Sequence, residues 1–131
     1  MKVAIIEDNP AIRETVSNYL NRSDVQVELV FETDNVQDGI RLFKEHSVDL
    51  AILDVEINGG LIFDVLNGLS SVDFEILFFS SHGSYALDAF RYSAFNFIVK
   101  PIDFEQLNLQ LYLAEASLAE NQRALQNHAY K

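Results

Sequence analysis

The chain has 131 residues and a net charge of −11, from 20 acidic and 9 basic side chains, and 49% of its residues are hydrophobic. This length allows one domain with a sizeable core, and so negative a surface repels phosphate backbones, which excludes nucleic-acid binding by this domain itself. The chain has no cysteine, no apolar run long enough to span a membrane and no signal-like start, so we expect a soluble cytoplasmic domain without disulfides.

The first part of the chain alternates a short apolar run with an amphipathic stretch. Val3–Ile6 is too short for a helix and predicts a buried strand. A helix then begins at Asn9 and Pro10, with the asparagine as N-cap and the proline at the first helical position. A second strand is predicted over Val25–Phe31, and a second helix from about Asn35.

The same alternation continues to the end of the chain. The third strand, Asp49–Asp54, is apolar until it ends on a carboxylate, and a glycine-containing loop and a short third helix follow it. The pattern then predicts a strand over Ile76–Phe79, a helix near Tyr85–Tyr92 and a fifth strand over Phe95–Val99. A long final helix is expected from about Phe104.

These five strand–helix repeats, (βα)5 in all, predict an α/β fold: a doubly wound, five-stranded parallel sheet with helices on both faces. Ligands of such sheets bind beyond the carboxyl ends of the strands, where the strand order reverses. Polar residues should therefore gather where the strands end. They do so at five positions: Glu7, Asp8, Asp54, Ser80 and Lys100.

This set of side chains suits phosphoryl transfer. Carboxylates that lie close together raise one another's pKa unless a cation sits between them, and Mg²⁺ is a cation that takes one or two carboxylates together with phosphate oxygens. One carboxylate can then act as a nucleophile towards phosphorus and form an aspartyl phosphate. Mg²⁺ and Lys100 would stabilise the charge on the transferring group, and Ser80 would donate a hydrogen bond to the product.

The chain resembles response-regulator receiver domains over roughly residues 2 to 115. The resemblance rests on the residues that follow the strands: Glu7-Asp8, Asp54, Ser80 and Lys100-Pro101. It implies the flavodoxin-like receiver fold with strand order 2-1-3-4-5. It also implies a signalling switch that catalyses its own phosphorylation and dephosphorylation, rather than an enzyme that acts on other molecules.

The resemblance assigns a role to each of these residues. Asp54 would accept phosphate from a partner histidine kinase. Asp8, assisted by Glu7, would hold Mg²⁺ together with Asp54 and the backbone carbonyl of Glu56. Members of this family usually have a cis peptide at the step from lysine to proline, which would aim Lys100 into the site.

Two stretches, Tyr85–Phe90 and Ala94–Ile102, look like the receivers attached to LytTR-type DNA-binding output domains. The chain departs from the family pattern at Asn58, where proline is usual, and at Ile62, where glycine is frequent. Both changes put the geometry of the loop in doubt rather than the chemistry. Ser80 replaces the commoner threonine and keeps the hydroxyl.

The resemblance also implies how the signal leaves the site. In receivers the hydroxyl residue, here Ser80, moves towards the phosphoryl group, and an aromatic residue on strand five, here Phe97, turns inward behind it. The surface that changes is expected to be helix four, strand five and helix five. Glu56 and His82 flank the path of a hydrolytic water in the family and are candidates for tuning the lifetime of the phosphate.

The final helix is longer than the sheet requires. Its apolar stripe weakens after Leu118, so we expect a receiver domain at 1–118 and a helix extension or linker at 119–131. The extension would form a two-stranded coiled coil, lead to a DNA-binding output domain outside this chain, or fray. A homodimer on activation is a further expectation.

Two other classes of function remain open. A phosphorylation-independent pseudo-receiver would be a pure interaction module, which the complete acceptor set disfavours. A haloacid-dehalogenase-like phosphatase also uses an aspartyl phosphate and Mg²⁺, but its nucleophile normally follows the first strand in an Asp-x-Asp arrangement, whereas Glu7 and Asp8 are adjacent here. Flavodoxins share the topology, but the chain lacks their hydroxyl-rich loop after strand one.

Overall fold

The computed structural model describes residues 1–129 and contains one five-stranded parallel sheet with five α-helices. The strands of this sheet are β1 (Lys2–Ile6), β2 (Glu28–Thr33), β3 (Leu50–Asp54), β4 (Glu75–Ser80) and β5 (Asn96–Val99). Two short strands in the loop after β3, Glu56–Ile57 and Gly60–Leu61, form a separate antiparallel pair. The helices are α1 (Pro10–Arg22), α2 (Val36–Glu45), α3 (Ile62–Asn67), α4 (Ala86–Phe90) and α5 (Phe104–Ala129). The strand order β2-β1-β3-β4-β5 confirms the predicted doubly wound fold.

Both faces of the sheet are covered, which explains why the strands are apolar without alternation. On one face, residues of β1 and β3 pack with α1 and α5 through Val16, Leu20 and Leu107. On the other face, the same strands pack with α2, α3 and α4. The three central strands are therefore buried on both sides, and their carboxyl ends emerge together at one edge.

The start of α1 is fixed as the sequence predicts. The Asn9 side chain accepts hydrogen bonds from the backbone N–H groups of Ala11 at 2.9 Å and Ile12 at 3.2 Å, and Pro10 is the first helical residue. This cap turns the chain away from the sheet directly after Asp8. The two carboxylates that follow β1 therefore stay at the sheet edge.

Two elements differ from their predicted bounds by more than one residue. The second strand begins at Glu28 and continues to Thr33, because Val25 contributes to the core from a loop beside α1 rather than from the sheet. The predicted fourth helix is divided into a 3₁₀ turn at Gly83–Tyr85 and a single short α-helix. Ser93, with φ of 55°, turns the chain towards β5.

Helix α5 contacts the sheet as far as Ser117, whose Oγ donates to Glu75 Oε1 at 3.2 Å. Leu107, Leu111 and Ala114 are fully buried, Leu118 is half-buried, and Leu125 is 71% exposed. The predicted weakening of the apolar stripe thus matches the point where the helix passes the sheet. The predicted extension continues to residue 131, and its last two residues lie outside the described range. In the described part of the chain, no helix is both long enough and apolar enough to cross a membrane.

Candidate functional site

The structure brings the five predicted site residues together at the carboxyl edge of the sheet. A cleft of about 240 Å³ opens there between the loops that follow β1, β3, β4 and β5. Its lining includes Glu7, Asp8, Asp54, Ser80 and Lys100. Each of these residues lies at or just after the end of a strand, so the sheet fixes its backbone position.

Lys100 forms the electrostatic centre of the cleft. Its Nζ lies 3.0 Å from Glu7 Oε1 and 3.1 Å from Asp54 Oδ2, and its side chain is only 13% exposed. It also lies 5.0 Å from the centre of the Phe79 ring, within reach of a cation–π contact. The Lys100–Pro101 peptide bond is cis, as the family resemblance implies.

Glu7 is fully buried beside another carboxylate. Burial, followed by the hydrogen bond with Asp54, raises the pKa of Glu7 to about 8, and Lys100 only partly offsets this rise. One ammonium therefore does not neutralise the pair of carboxylates. Without a further cation, Glu7 keeps its proton at neutral pH, and a cation bound between the carboxylates would displace that proton.

A divalent cation fits the cluster of carboxylates at this site. Carboxylate oxygens of Glu7, Asp8 and Asp54 lie within 4.8 Å of one another. Asp8 is half-buried, and it faces the cleft with the other two residues. A set made only of oxygen donors suits a hard cation such as Mg²⁺, which keeps several of its own waters. The donor set therefore agrees with the predicted magnesium site.

The Asp54 carboxylate is fixed by hydrogen bonds and faces the cleft. Its Oδ1 accepts the backbone N–H of Val55 at 2.8 Å, and its Oδ2 accepts from Lys100. Its side chain is 7% exposed. A carboxylate that is held at both oxygens and lines the cleft can meet a group bound there.

Ser80 ends β4 on the opposite wall of the cleft. It is almost fully buried, and its Oγ accepts the backbone N–H of His82 at 3.1 Å. The backbone N–H of Lys100 donates to the Ser80 carbonyl at 2.8 Å. The hydroxyl and the ammonium are therefore positioned by the same pair of strand ends.

The loop after β3 explains the absence of proline at position 58. The backbone N–H of Asn58 donates to the carbonyl of Asp34 at 3.1 Å, and its carbonyl accepts from Val36 at 3.0 Å. Proline has no N–H and would lose the first of these bonds. Ile62, in place of glycine, is fully buried in the core. The loop thus accommodates Asn58, and the core accommodates Ile62.

Phe97 occupies the predicted place on β5. Its ring is half-buried and its centre lies 6.5 Å from that of Phe78 on β4. It packs against the core face that contacts α2, α3 and α4. Phe97 therefore lies where the switch aromatic is expected, and its inward movement stays a prediction.

The sequence did not reveal three polar contacts at the site. The Tyr85 hydroxyl donates to Glu56 Oε1 at 2.9 Å, and His82 Nε2 lies 3.7 Å from the same oxygen. Arg13 donates from α1 to the Glu7 carbonyl at 2.8 Å. The only indication in the sequence that Tyr85 has a role is its position in the stretch that resembles LytTR-type receivers.

A doubly wound sheet with an acidic cleft, a lysine and a hydroxyl at its carboxyl edge defines the receiver class. The chain matches the family described as response regulator receiver domain over residues 3–112. It therefore belongs to the receiver domains of two-component response regulators.

Several named proteins are similar to the chain. Sensory transduction protein LytT of Enterococcus faecalis is 31% identical over 133 residues, which cover 100% of this chain and 54% of that protein. Transcriptional regulatory protein NatR of Bacillus subtilis is 29% identical over 82% of this chain and 46% of that protein. The predicted similarity to LytTR-type regulators is confirmed by such relatives. The chain spans about half the length of these relatives.

Solved structures show the same fold. The response regulatory domain of mrkE from Klebsiella pneumoniae has a TM-score of 0.84 at 24% identity, over 92% of this chain and 99% of that one. A CheX–CheY–BeF3–Mg complex from Borrelia burgdorferi matches with a TM-score of 0.76 at 17% identity, over 85% of this chain and 86% of that one. At these identities the comparison concerns the fold alone.

The buried pair of carboxylates predicts a specific dependence of stability on pH. The pKa of Glu7 in the folded chain, about 8, lies above its ordinary value of 4.5. The folded state therefore binds this proton more tightly than the unfolded state, and the contribution of Glu7 to the free energy of unfolding falls as pH rises from 4.5 to 8. Glu7→Gln should abolish this fall and be more stable at pH above 8, in EDTA, by about 1 kcal/mol or more.

Urea unfolding followed by circular dichroism at several pH values measures this difference. Glu14→Gln, on the exposed face of α1, is the matched control and should follow the parent chain. Parallel stability curves for Glu7→Gln and the parent would contradict the raised pKa.

Proposed function

We propose that this chain is the phosphoacceptor switch of a two-component system, in which Asp54 takes a phosphoryl group from a sensor histidine kinase. The observation that supports it best is the position of Lys100 Nζ, 3.0 Å from Glu7 and 3.1 Å from Asp54, in the cleft that also holds Asp8. These are the side chains that receiver chemistry uses, gathered at one sheet edge. The switch acts on itself and not on a separate substrate.

The residues divide the work of transfer between them. An oxygen of Asp54 attacks phosphorus, the bond from phosphorus to the donor's imidazole nitrogen breaks, and the electron pair returns to that nitrogen. Lys100 stabilises the charge on the phosphoryl oxygens, and Ser80 donates a hydrogen bond to one of them. Glu7, Asp8, Asp54 and the carbonyl of Glu56 would hold Mg²⁺. When bound, Mg²⁺ supplies positive charge that the carboxylates and the phosphoryl group share.

The kinase would approach beside α1. An apolar groove adjoins the cleft there, lined by Ile12, Thr15, Pro101 and Ile102 among others. Lys100 lines both the groove and the cleft. A helical domain that covers the groove would bring its phosphohistidine towards Asp54. With such a partner, the protein would act in the cytoplasm.

The output surface would be α4, β5 and α5. Leu87 and Phe90 of α4 are 77% and 70% exposed, and Val99 of β5 is half-exposed beside them. Exposed apolar side chains of this kind suit a contact with a second copy or with an output domain. Movement of Ser80 towards the phosphoryl group, followed by Phe97, would link this surface to the site.

The rest of the protein would carry the response. Since relatives with names such as NatR are about twice as long, we propose a DNA-binding output domain connected through residues 119–131. The receiver domain proper would end near residue 118, where α5 passes the sheet. With its net charge of −11, the receiver itself would not contact DNA.

Incubation with acetyl phosphate tests the proposal without knowledge of the kinase. Intact mass should show one added phosphoryl group with Mg²⁺ and none when EDTA replaces it. Consumption of acetyl phosphate, followed in parallel, identifies a product that forms but hydrolyses quickly. If acetyl phosphate stays untouched and no adduct forms while calorimetry shows bound Mg²⁺, the pseudo-receiver interpretation replaces this one.

A further inference from the structure

A side-chain hydrogen bond joins the two loops at the mouth of the cleft. Glu56 belongs to the loop after β3, and Tyr85 is the last residue of the 3₁₀ turn before α4. The Tyr85 hydroxyl donates to Glu56 Oε1 at 2.9 Å, and His82 Nε2 stands 3.7 Å from that oxygen. The Glu56 carboxylate is therefore held towards α4, although its side chain is 53% exposed.

The position of this carboxylate matters because the cleft is already acidic. The three carboxylates that gather within 4.8 Å, in the described part of the chain, are those of Glu7, Asp8 and Asp54. Glu56 also lines the cleft, yet its carboxylate stands outside that group. A fourth carboxylate that joined the group would repel an anionic phosphoryl donor and occupy a coordination position of the cation.

Tyr85 is well suited to hold Glu56 in place. Its ring is half-buried and its centre lies 6.4 Å from that of Phe63 on α3, so the hydroxyl has a fixed direction. The hydrogen bond with Glu56 raises the pKa of Tyr85, which keeps the hydroxyl protonated as a donor. A charge-assisted bond of this kind is stronger than one between neutral groups.

We infer that Tyr85 is a positioning residue for phosphoryl transfer: its hydroxyl keeps the Glu56 carboxylate out of the acidic cluster and so leaves the approach to Asp54 open. This inference rests on the proposed function and goes beyond it. Tyr85 touches neither the donor nor Asp54. It acts through Glu56 alone.

Tyr85→Phe removes the hydroxyl and keeps the ring. With acetyl phosphate and saturating Mg²⁺, we expect the initial rate of phosphorylation to fall about tenfold, the lower end of the effect that losing one hydrogen bond to a charged group produces. Isothermal titration calorimetry without donor should show Mg²⁺ affinity that is unchanged or tighter, because the released carboxylate can reach the cation. If Tyr85→Phe merely disturbed the structure of the site, the Mg²⁺ affinity would fall together with the rate.

The double variant Tyr85→Phe with Glu56→Gln tests whether the effect passes through the carboxylate. It should be phosphorylated at the rate of Glu56→Gln alone, because no charge remains for Tyr85 to restrain. Tyr92→Phe is the matched control. It removes a hydroxyl that donates to Asn67 Oδ1 at 3.0 Å, from a ring that also packs on Phe63, and it should leave the rate unchanged.

Three results would overturn the inference: an unchanged rate in Tyr85→Phe, a fall in rate that persists in the Glu56→Gln background, or a joint loss of rate and Mg²⁺ affinity. The parent chain separates these from failure of the proposed function. If the parent itself takes no phosphoryl group, the proposed function fails. If the parent is phosphorylated normally and Tyr85→Phe equals it, only the role of Tyr85 fails.

Discussion

Asp54→Asn is expected to lose the phosphoryl adduct completely. The carboxylate of Asp54 is fixed by the N–H of Val55 and by Lys100 and lines the cleft, so we expect the adduct to depend on its anionic oxygen. An amide of the same shape keeps the packing but has no anionic oxygen to attack phosphorus. Intact mass after incubation with acetyl phosphate and Mg²⁺ measures the result.

Two further observations make this experiment decisive. Asp73→Asn, in the exposed loop before β4, should form the adduct as the parent chain does. Calorimetry on Asp54→Asn should show weaker Mg²⁺ binding, since one of three clustered carboxylates is neutral. An adduct of undiminished yield in Asp54→Asn would mean that the acceptor lies elsewhere and would refute the proposed role.

Lys100→Met is expected to slow phosphorylation by about 100- to 1,000-fold, the loss typical of removing one group that stabilises transition-state charge. Methionine has a similar length and no charge, so the phosphoryl oxygens lose the ammonium while the cleft keeps its shape. Glu7 and Asp54 lose the same partner. Mg²⁺ affinity should therefore stay the same or rise, because the carboxylates are no longer engaged by the lysine.

The combination of a slow rate and retained Mg²⁺ affinity distinguishes charge stabilisation from a role in holding the cation. Initial rates by intact mass at saturating Mg²⁺, with folding checked by circular dichroism, supply the measurement. Lys44→Met, at the exposed end of α2, is the control and should react normally. Lys100→Arg should recover only part of the rate, since a planar guanidinium replaces a compact charge. Equal rates for Lys100→Met and the parent would exclude the role of Lys100.

The fold and most of the site could be predicted because both depend on local pattern. Strands buried on both faces are continuous apolar runs, and a parallel sheet collects whatever follows its strands at one edge. Asp54 and Lys100 were therefore placed correctly although 46 residues separate them along the chain. The cap at Asn9 was equally predictable, because its partners lie two and three residues away.

The features that could not be predicted from the sequence are contacts between residues far apart along the chain. The hydroxyl of Tyr85 meets Glu56 across 29 residues, and an amphipathic pattern gives no sign of such a contact. The N–H of Asn58 is needed because it donates to the carbonyl of Asp34, and this contact is visible only in the folded structure. The start of the second strand was wrong because burial of Val25 from a loop produces the same apolar signal as a strand.

The length of α5 has a mechanical consequence. The part of the helix beyond Leu118 extends about 16 Å at 1.5 Å per residue, with no sheet beneath it. If the helix tilts where it leaves the sheet, the displacement of its far end grows with its length, so a tilt of a few degrees at the sheet moves that end by about an ångström. A domain joined to that end would then be moved by the tilt of α5 and would not need to contact the cleft.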